Sequence, residues 1–259
     1  MRKAGEKFDS FIEIVRKLRK ECPWDREQTI DTLKPYLVEE VYEAIEAIKD
    51  KDYSRLTEEL GDMLLHIVML SVFAAEKKKF GVEDVIDSIS SKMIRRHPHV
   101  FGKAKAKCKE EVWRKWEKIK RGEGRGAKKG MLESIPQSLP ALYRADKVQR
   151  RASRVGFDWD LVAGAWSKVH EEMDEIHDIL KSKTISKSQI PKLKEEVGDL
   201  LFSIVNVARK LNIDAEETLQ EANCKFMRRF SNIEKALQKK KMTLAQMDAL
   251  WDKVKASEK

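Results

Sequence analysis

The sequence predicts an all-α protein made of two homologous helical-bundle domains, and three observations point there. Turn residues are scarce, with 11 glycines and 6 prolines in 259 residues, well under the roughly 12% of an average chain. All-β architectures need a turn about every 8–12 residues, which this chain does not supply. Charged residues reach 37% and hydrophobic ones 41%, a balance that suits amphipathic helices, leaves material for a core and excludes general disorder. The third observation is an internal repeat: Glu58–Val68 (EELGDMLLHIV) and Glu195–Val205 (EEVGDLLFSIV) align without a gap, with seven identical positions.

Further blocks recur in the same order. Cys22–Asp25 (CPWD) pairs with Phe157–Asp160 (FDWD), Glu39–Glu43 with Glu171–Glu175, Lys92–Arg96 with Lys225–Arg229, and Trp116–Lys120 with Trp251–Lys255. Two copies at so long a period denote duplicated domains, since a solenoid needs three or more short units. Four of the 11 glycines fall in Arg121–Gly130 (RGEGRGAKKG), a charged, Gly-rich linker without apolar periodicity. The expected organisation is a helical domain over 1–120, a linker over 121–130 and a second helical domain over 131–259.

The elements follow from apolar spacing. Leu37, Val41, Ala44, Ile45 and Ile48 repeat at helical intervals; Pro35 occupies a tolerated early-turn position, and Asp50–Asp52 ends the run. A helix from about Gly81 through Arg95 carries Val82, Val85, Ile86, Ile89 and Met93 as its stripe. In the second copy Leu193, Val197, Leu200, Leu201, Ile204, Val205, Ala208 and Leu211 do the same.

No uncharged apolar stretch reaches the roughly 18–20 residues of a membrane helix; the nearest, Met63 to Ala75, is short and contains His66 and Ser71. The N-terminus has charges spread through it and lacks a secretory apolar core, so a soluble, cytoplasmic protein is expected. Cys22, Cys108 and Cys224 are far apart and form no C-x-x-C pair, which disfavours a disulfide framework or a zinc site. The net charge of +9, from 53 Lys and Arg against 44 Asp and Glu, favours polyanionic partners such as nucleotides or nucleic acid.

Acidic residues form the most informative pattern. At about 100° per helical residue, Glu39, Glu40 and Glu43 share one face, and Glu59 and Asp62 are neighbours on the next helix. The second copy repeats this with Glu171, Glu172 and Glu175, then Glu196 and Asp199. Asp62 and Asp199 lie among Leu, Met and Ile, where a buried unpaired charge would cost several kcal/mol unless something neutralised it. Converging carboxylates without cysteine or a compelling histidine point to Mg²⁺ or Mn²⁺. The Glu-x-x-His pair of di-iron bundles does not occur, although Asp174 and His177 form a weak variant. Gly61 and Gly198 precede the aspartates, and close helix packing is the expected reason for them. His97 and His99 read as structural or substrate-facing.

Cationic groups surround both acidic sets. The second has Lys168, Lys192 and the one-faced trio Lys225, Arg228 and Arg229, suited to phosphate oxygens. The first keeps Arg55, Lys92, Arg95 and Arg96 but has Tyr36 where the second has Lys168. No G-x-x-x-x-G-K-[ST] loop is present, which excludes a P-loop enzyme. Trp24, Trp159, Trp116 and Trp251 recur at matched places, and Trp251 is the best candidate to stack on a base.

From CPWD through the acidic sets, RRHPHVFG at Arg95–Gly102, SLPAL at Ser138–Leu142, VGFDW at Val155–Trp159 and the second acidic set, the chain resembles the MazG family of nucleoside triphosphate pyrophosphohydrolases in its two-domain form. The resemblance implies an all-α fold, a homodimer, Mg²⁺ dependence, and cleavage of nucleoside triphosphates between the α and β phosphates, with broad base tolerance and a house-cleaning role. By position it implies that Glu172, Glu175, Glu196 and Asp199 hold metal and that Lys168, Lys192, Lys225, Arg229 and Trp251 hold nucleotide, with Arg228 beside them. Glu40, Glu43, Glu59 and Asp62 match in the first copy. Glu171 or Glu172 is then the candidate to orient or deprotonate the attacking water, with one or two metal ions taking part. A basic helical nucleic-acid-binding protein without hydrolytic activity is the alternative, and a di-iron carboxylate protein a third; neither explains why acidic and basic blocks recur in both halves.

Overall fold

The computed structural model describes residues 2–122, 130–181 and 185–258, and among these every regular element is a helix. Most of the expected linker, 123–129, lies outside the described residues. The chain divides into two compact units, Met1–Arg121 and Gly122–Lys259.

The first unit holds α1 (Arg2–Glu21), α2 (Pro23–Glu27), α3 (Lys34–Asp50), α4 (Tyr53–Glu76), α5 (Val82–Arg96), α6 (Pro98–Phe101) and α7 (Lys109–Arg121). α3 has its proline in the first turn and ends at Lys51 in the left-handed region, φ 56°. The next residue, Asp52, caps α4 by accepting from the Ser54 and Arg55 amides. Ile12, Val15, Leu33, Val68, Met69, Phe73 and Val82 form the core. The Arg19 guanidinium lies 4.3 Å from the Phe73 ring centre, pairs with both Glu76 oxygens and donates to the carbonyls of Asp25, Arg26 and Gln28. That one side chain fastens the CPWD turn to the core.

The second unit holds α8 (Ala141–Ser153), α9 (Val162–Leu180), α10 (Ile190–Lys210), α11 (Ala215–Leu237) and α12 (Leu244–Ser257). Asp214 caps α11, and Thr243 with Gln246 forms a capping box for α12. α10 packs on both α9 and α8.

Helix existence follows the periodicity, but the buried face does not. Of the α3 stripe, Ala44 is buried while Val41, Ile45 and Ile48 are exposed. On α10 Val197, Leu201, Ile204 and Leu211 are exposed, whereas Glu196, Ser203, Asn206 and Arg209 are buried with Val205. α10 therefore turns a largely polar face toward its own unit and an apolar one outward. No helix among the described residues is long and apolar enough to cross a membrane.

Candidate active site

In the second unit α9 carries Glu172 and Glu175 and α10 carries Glu196, and their packing brings one oxygen of each carboxylate within 4.8 Å of the others. Glu172 and Glu196 are 4% and 5% exposed. Burial pushes the Glu196 carboxyl above its usual range, and a hydrogen bond with Glu175 and that neighbour's charge push it further. Such crowding is what a divalent cation relieves, and a donor set made only of carboxylate oxygen fits a hard ion. Lys168, one turn before Glu172, places its Nζ 2.7 Å from Glu172 and 2.8 Å from Glu171, and both contacts favour its charged form. Lys192, one turn before Glu196, partly offsets the rise at that carboxyl.

The first unit builds the same acidic set with different neighbours. Glu40, Glu43 and Glu59 also bring oxygens within 4.8 Å. The Glu43 carboxyl is raised by burial first and then by the charges of Glu59, Glu40 and Glu39. Arg55 donates to Glu59 at 3.3 Å and to Glu46 at 3.1 Å. Instead of a lysine, Glu40 has His66 Nε2 at 3.4 Å. His66 stacks on Tyr36 with ring centres 6.1 Å apart, and Trp24 meets Tyr36 edge-on at 6.0 Å.

A recess of about 480 Å³ opens beside the second set. Lys168, Glu172 and Asp199 line it on the acidic side, and Gln149, Trp159, Phe202, Ser203 and Asn206 are among the residues opposite. Its FDWD wall is clamped: Arg209 holds both Asp158 oxygens, at 3.0 and 2.7 Å, and also donates to Asn206. This pairing, with Lys210 adding to it, holds the Asp158 carboxyl down at about 2 against the opposing effect of burial. Trp159 lies over the start of α9, where a Cβ on Gly164 would stand 2.4 Å from its Cδ1. Only glycine lets the indole rest there.

Several expectations change. Asp62 is half-buried and Asp199 exposed, so neither is the buried charge that the apolar surroundings suggested; the buried acids are Glu59, Glu172 and Glu196, one turn earlier or on the partner helix. The cause is the outward-facing apolar stripe, which takes these aspartates with it. Gly61 and Gly198 have open space where a Cβ would stand, so close packing within the units does not account for them. Arg228 and Arg229 pair with Glu258, and Arg229 also lies 5.7 Å from the Trp251 ring centre. Trp251 packs on Phe226 at 5.1 Å. Lys225 is exposed on the same helix, and Glu171 is exposed at the edge of the acidic set. His97 donates from Nδ1 to the Met93 carbonyl at the end of α5, a structural role. Sequence reasoning missed Gln149, the Asp158–Arg209 clamp and Gly164; the FDWD block was the available signal for the last two.

The model of the MazG nucleotide pyrophosphohydrolase domain matches residues 28–101 and again 165–233. The chain is 42% identical over 260 residues to a nucleoside triphosphate pyrophosphohydrolase of Escherichia coli K12, covering 97% of this chain and 98% of that one. It is 40% identical over 265 residues to the nucleoside triphosphate pyrophosphohydrolase/pyrophosphatase MazG of Thermotoga maritima, covering 100% and 99%. A crystal structure of a MazG-related protein from Thermotoga maritima aligns with 44% of this chain and 98% of its own at 29% identity, with a TM-score of 0.40. With a family match in each half and near-complete coverage of relatives at this identity, the chain belongs to the MazG nucleotide pyrophosphohydrolase family of enzymes.

Proposed function

We propose that the second unit hydrolyses nucleoside triphosphates between the α and β phosphates, giving monophosphate and pyrophosphate, with Mg²⁺ or Mn²⁺ as cofactor. The convergence of Glu172, Glu175 and Glu196 beside Lys168 is the observation behind this reading. Those three carboxylates, with Asp199 one turn further along α10, would hold the cation. A divalent ion there supplies charge neutralisation for phosphate oxygens and makes water more acidic. Glu171, or Glu172 beside it, orients the attacking water and takes its proton. Lys168 and Lys192 offset the negative charge that builds on the departing pyrophosphate, the effect from which most catalysis of phosphoryl-type transfer arises. Lys225, Arg228, Arg229 and Trp251 provide a further cationic surface for the nucleotide on α11 and α12.

The first unit is proposed to keep a cation site at Glu40, Glu43, Glu59 and Asp62 without the chemistry. Tyr36 and His66 stand where Lys168 and Ser203 stand in the second unit, and their stack with Trp24 supports that reading. Broad base tolerance, a cytoplasmic house-cleaning role and a homodimer belong to the same proposal; the outward apolar stripes on α3 and α10 support the dimer.

Product analysis with each common nucleoside triphosphate and Mg²⁺ tests this. Wild type should release monophosphate and pyrophosphate, Glu172→Ala should abolish turnover, and Glu40→Ala should keep it. Near-normal turnover in Glu172→Ala would remove this site from the chemistry.

A further inference from the structure

The recess beside Glu172 contains a group that the hydrolytic reading does not use. Gln149 is 6% exposed, and its Nε2 donates to the Phe202 carbonyl at 2.8 Å. That bond settles which end of the amide is which, because a carbonyl can only accept. Gln149 Oε1 is thereby left buried with no hydrogen-bond partner. An orphaned buried acceptor costs about 1–3 kcal/mol, and proteins keep few of them without a reason.

The surroundings of this acceptor suit a flat, polar-edged aromatic ligand. Phe157 is 81% exposed on the rim, and Trp159 and Phe202 add ring surface at 44% and 43% exposure. The volume of about 480 Å³ exceeds what one base and its sugar need. On α10, Asn206 Oδ1 is occupied by Arg209, which leaves the Asn206 amide Nδ2 as a donor on the same lining. The recess shares Lys168, Glu172 and Asp199 with the acidic set, so a ligand filling it would have its charged end at the carboxylates.

The first unit provides an internal comparison. Ile14 stands eight residues before CPWD, as Gln149 stands eight before FDWD, so the acceptor has no counterpart there. The positions of Lys168 and Ser203 are taken by Tyr36 and His66, whose rings stack. The copy that lacks the lysine also lacks the acceptor.

We infer that this recess takes the base of the nucleotide and that Gln149 is its specificity-determining residue, Oε1 accepting an N–H from the pairing edge of the base. The inference rests on the triphosphate reading of the adjacent carboxylates. Adenine, cytosine, guanine and uracil each present an N–H on that edge, so a single fixed acceptor admits all four. It rejects a base whose edge nitrogens are fully alkylated.

The test compares ATP with N6,N6-dimethyl-ATP in the full chain, by kcat/KM for hydrolysis with Mg²⁺ and, in parallel, by calorimetric binding of non-hydrolysable analogues of both. Wild type should favour the unmodified base by about tenfold, the worth of one hydrogen bond to a buried acceptor. Gln149→Leu should erase that preference by weakening ATP alone. Phe157→Ala, at a site too exposed to carry the fold, should raise KM for ATP and CTP alike and keeps the inference testable if Gln149→Leu does not fold. Equal treatment of the two bases by wild type, an undiminished preference in Gln149→Leu, or an unchanged KM in Phe157→Ala would overturn it. So would a base-dependent loss in Trp251→Ala with none in Gln149→Leu, which would put the base against α12. If nothing is hydrolysed but binding still discriminates through Gln149, the recess stands and the hydrolytic reading falls.

Discussion

Glu196 and Asp158 are both acidic and both partly enclosed, yet their neighbours drive them in opposite directions. At Glu196, burial and the nearby Glu175 raise the carboxyl, so it takes up a proton at higher pH than a free glutamate. Protons therefore compete with a cation for this set, and affinity for Mg²⁺ or Mn²⁺ should fall steadily as pH drops from neutral. Titration calorimetry across that range checks this; affinity constant down to the ordinary glutamate range would contradict it. At Asp158 the Arg209 pair lowers the carboxyl from 3.8 to about 2. A depressed pKa contributes stability that is present above the unfolded value and lost as pH falls toward the folded one. The melting temperature should drop between about pH 4 and pH 2, and Asp158→Asn should melt lower at neutral pH with a shallower acid limb. Parallel acid limbs in the two proteins would assign the loss to other carboxylates.

At the scale of the element, α10 explains why the aspartates were misplaced. A helix with one apolar and one polar face is ordinarily read with the apolar face inward. Here Glu196, Ser203, Asn206 and Arg209 face α8 and α9 because those helices offer partners such as Gln149, Asp158 and Glu175, while Val197, Leu201 and Ile204 lie outward. Gly198 sits on an exposed part of this helix with nothing within 4 Å of an added Cβ. Gly198→Ala should therefore stabilise the protein by about 0.5–1 kcal/mol through helix propensity alone. Chemical denaturation followed by circular dichroism measures it, and a fall in stability would show that the face is packed in the assembled protein.

For the whole molecule, duplication produced two copies of one acidic framework with different chemistry around each. Both bring three carboxylates together, but only the second pairs them with a lysine and an open recess among the described residues. A fragment spanning 122–259 should hydrolyse nucleoside triphosphates with Mg²⁺, and the complementary fragment 1–121 should not, as read by pyrophosphate release. Turnover by the first fragment would return catalysis to the copy with Tyr36.

The sequence by itself determined the helical class, the duplication, the family and the acidic positions, because turn content, ordered repeats and i, i+3 and i+4 spacing are properties of the chain alone. Identity of the set was legible at Glu40, Glu43, Glu59, Glu172, Glu175 and Glu196 for that reason. Only the tertiary structure decided which acids are buried, that Arg228 and Arg229 pair with Glu258, that Gly164 makes room for Trp159 and that Gln149 is left with an unpaired oxygen. Those facts depend on which face each helix turns to its neighbours, and periodicity identifies a face without saying what will cover it.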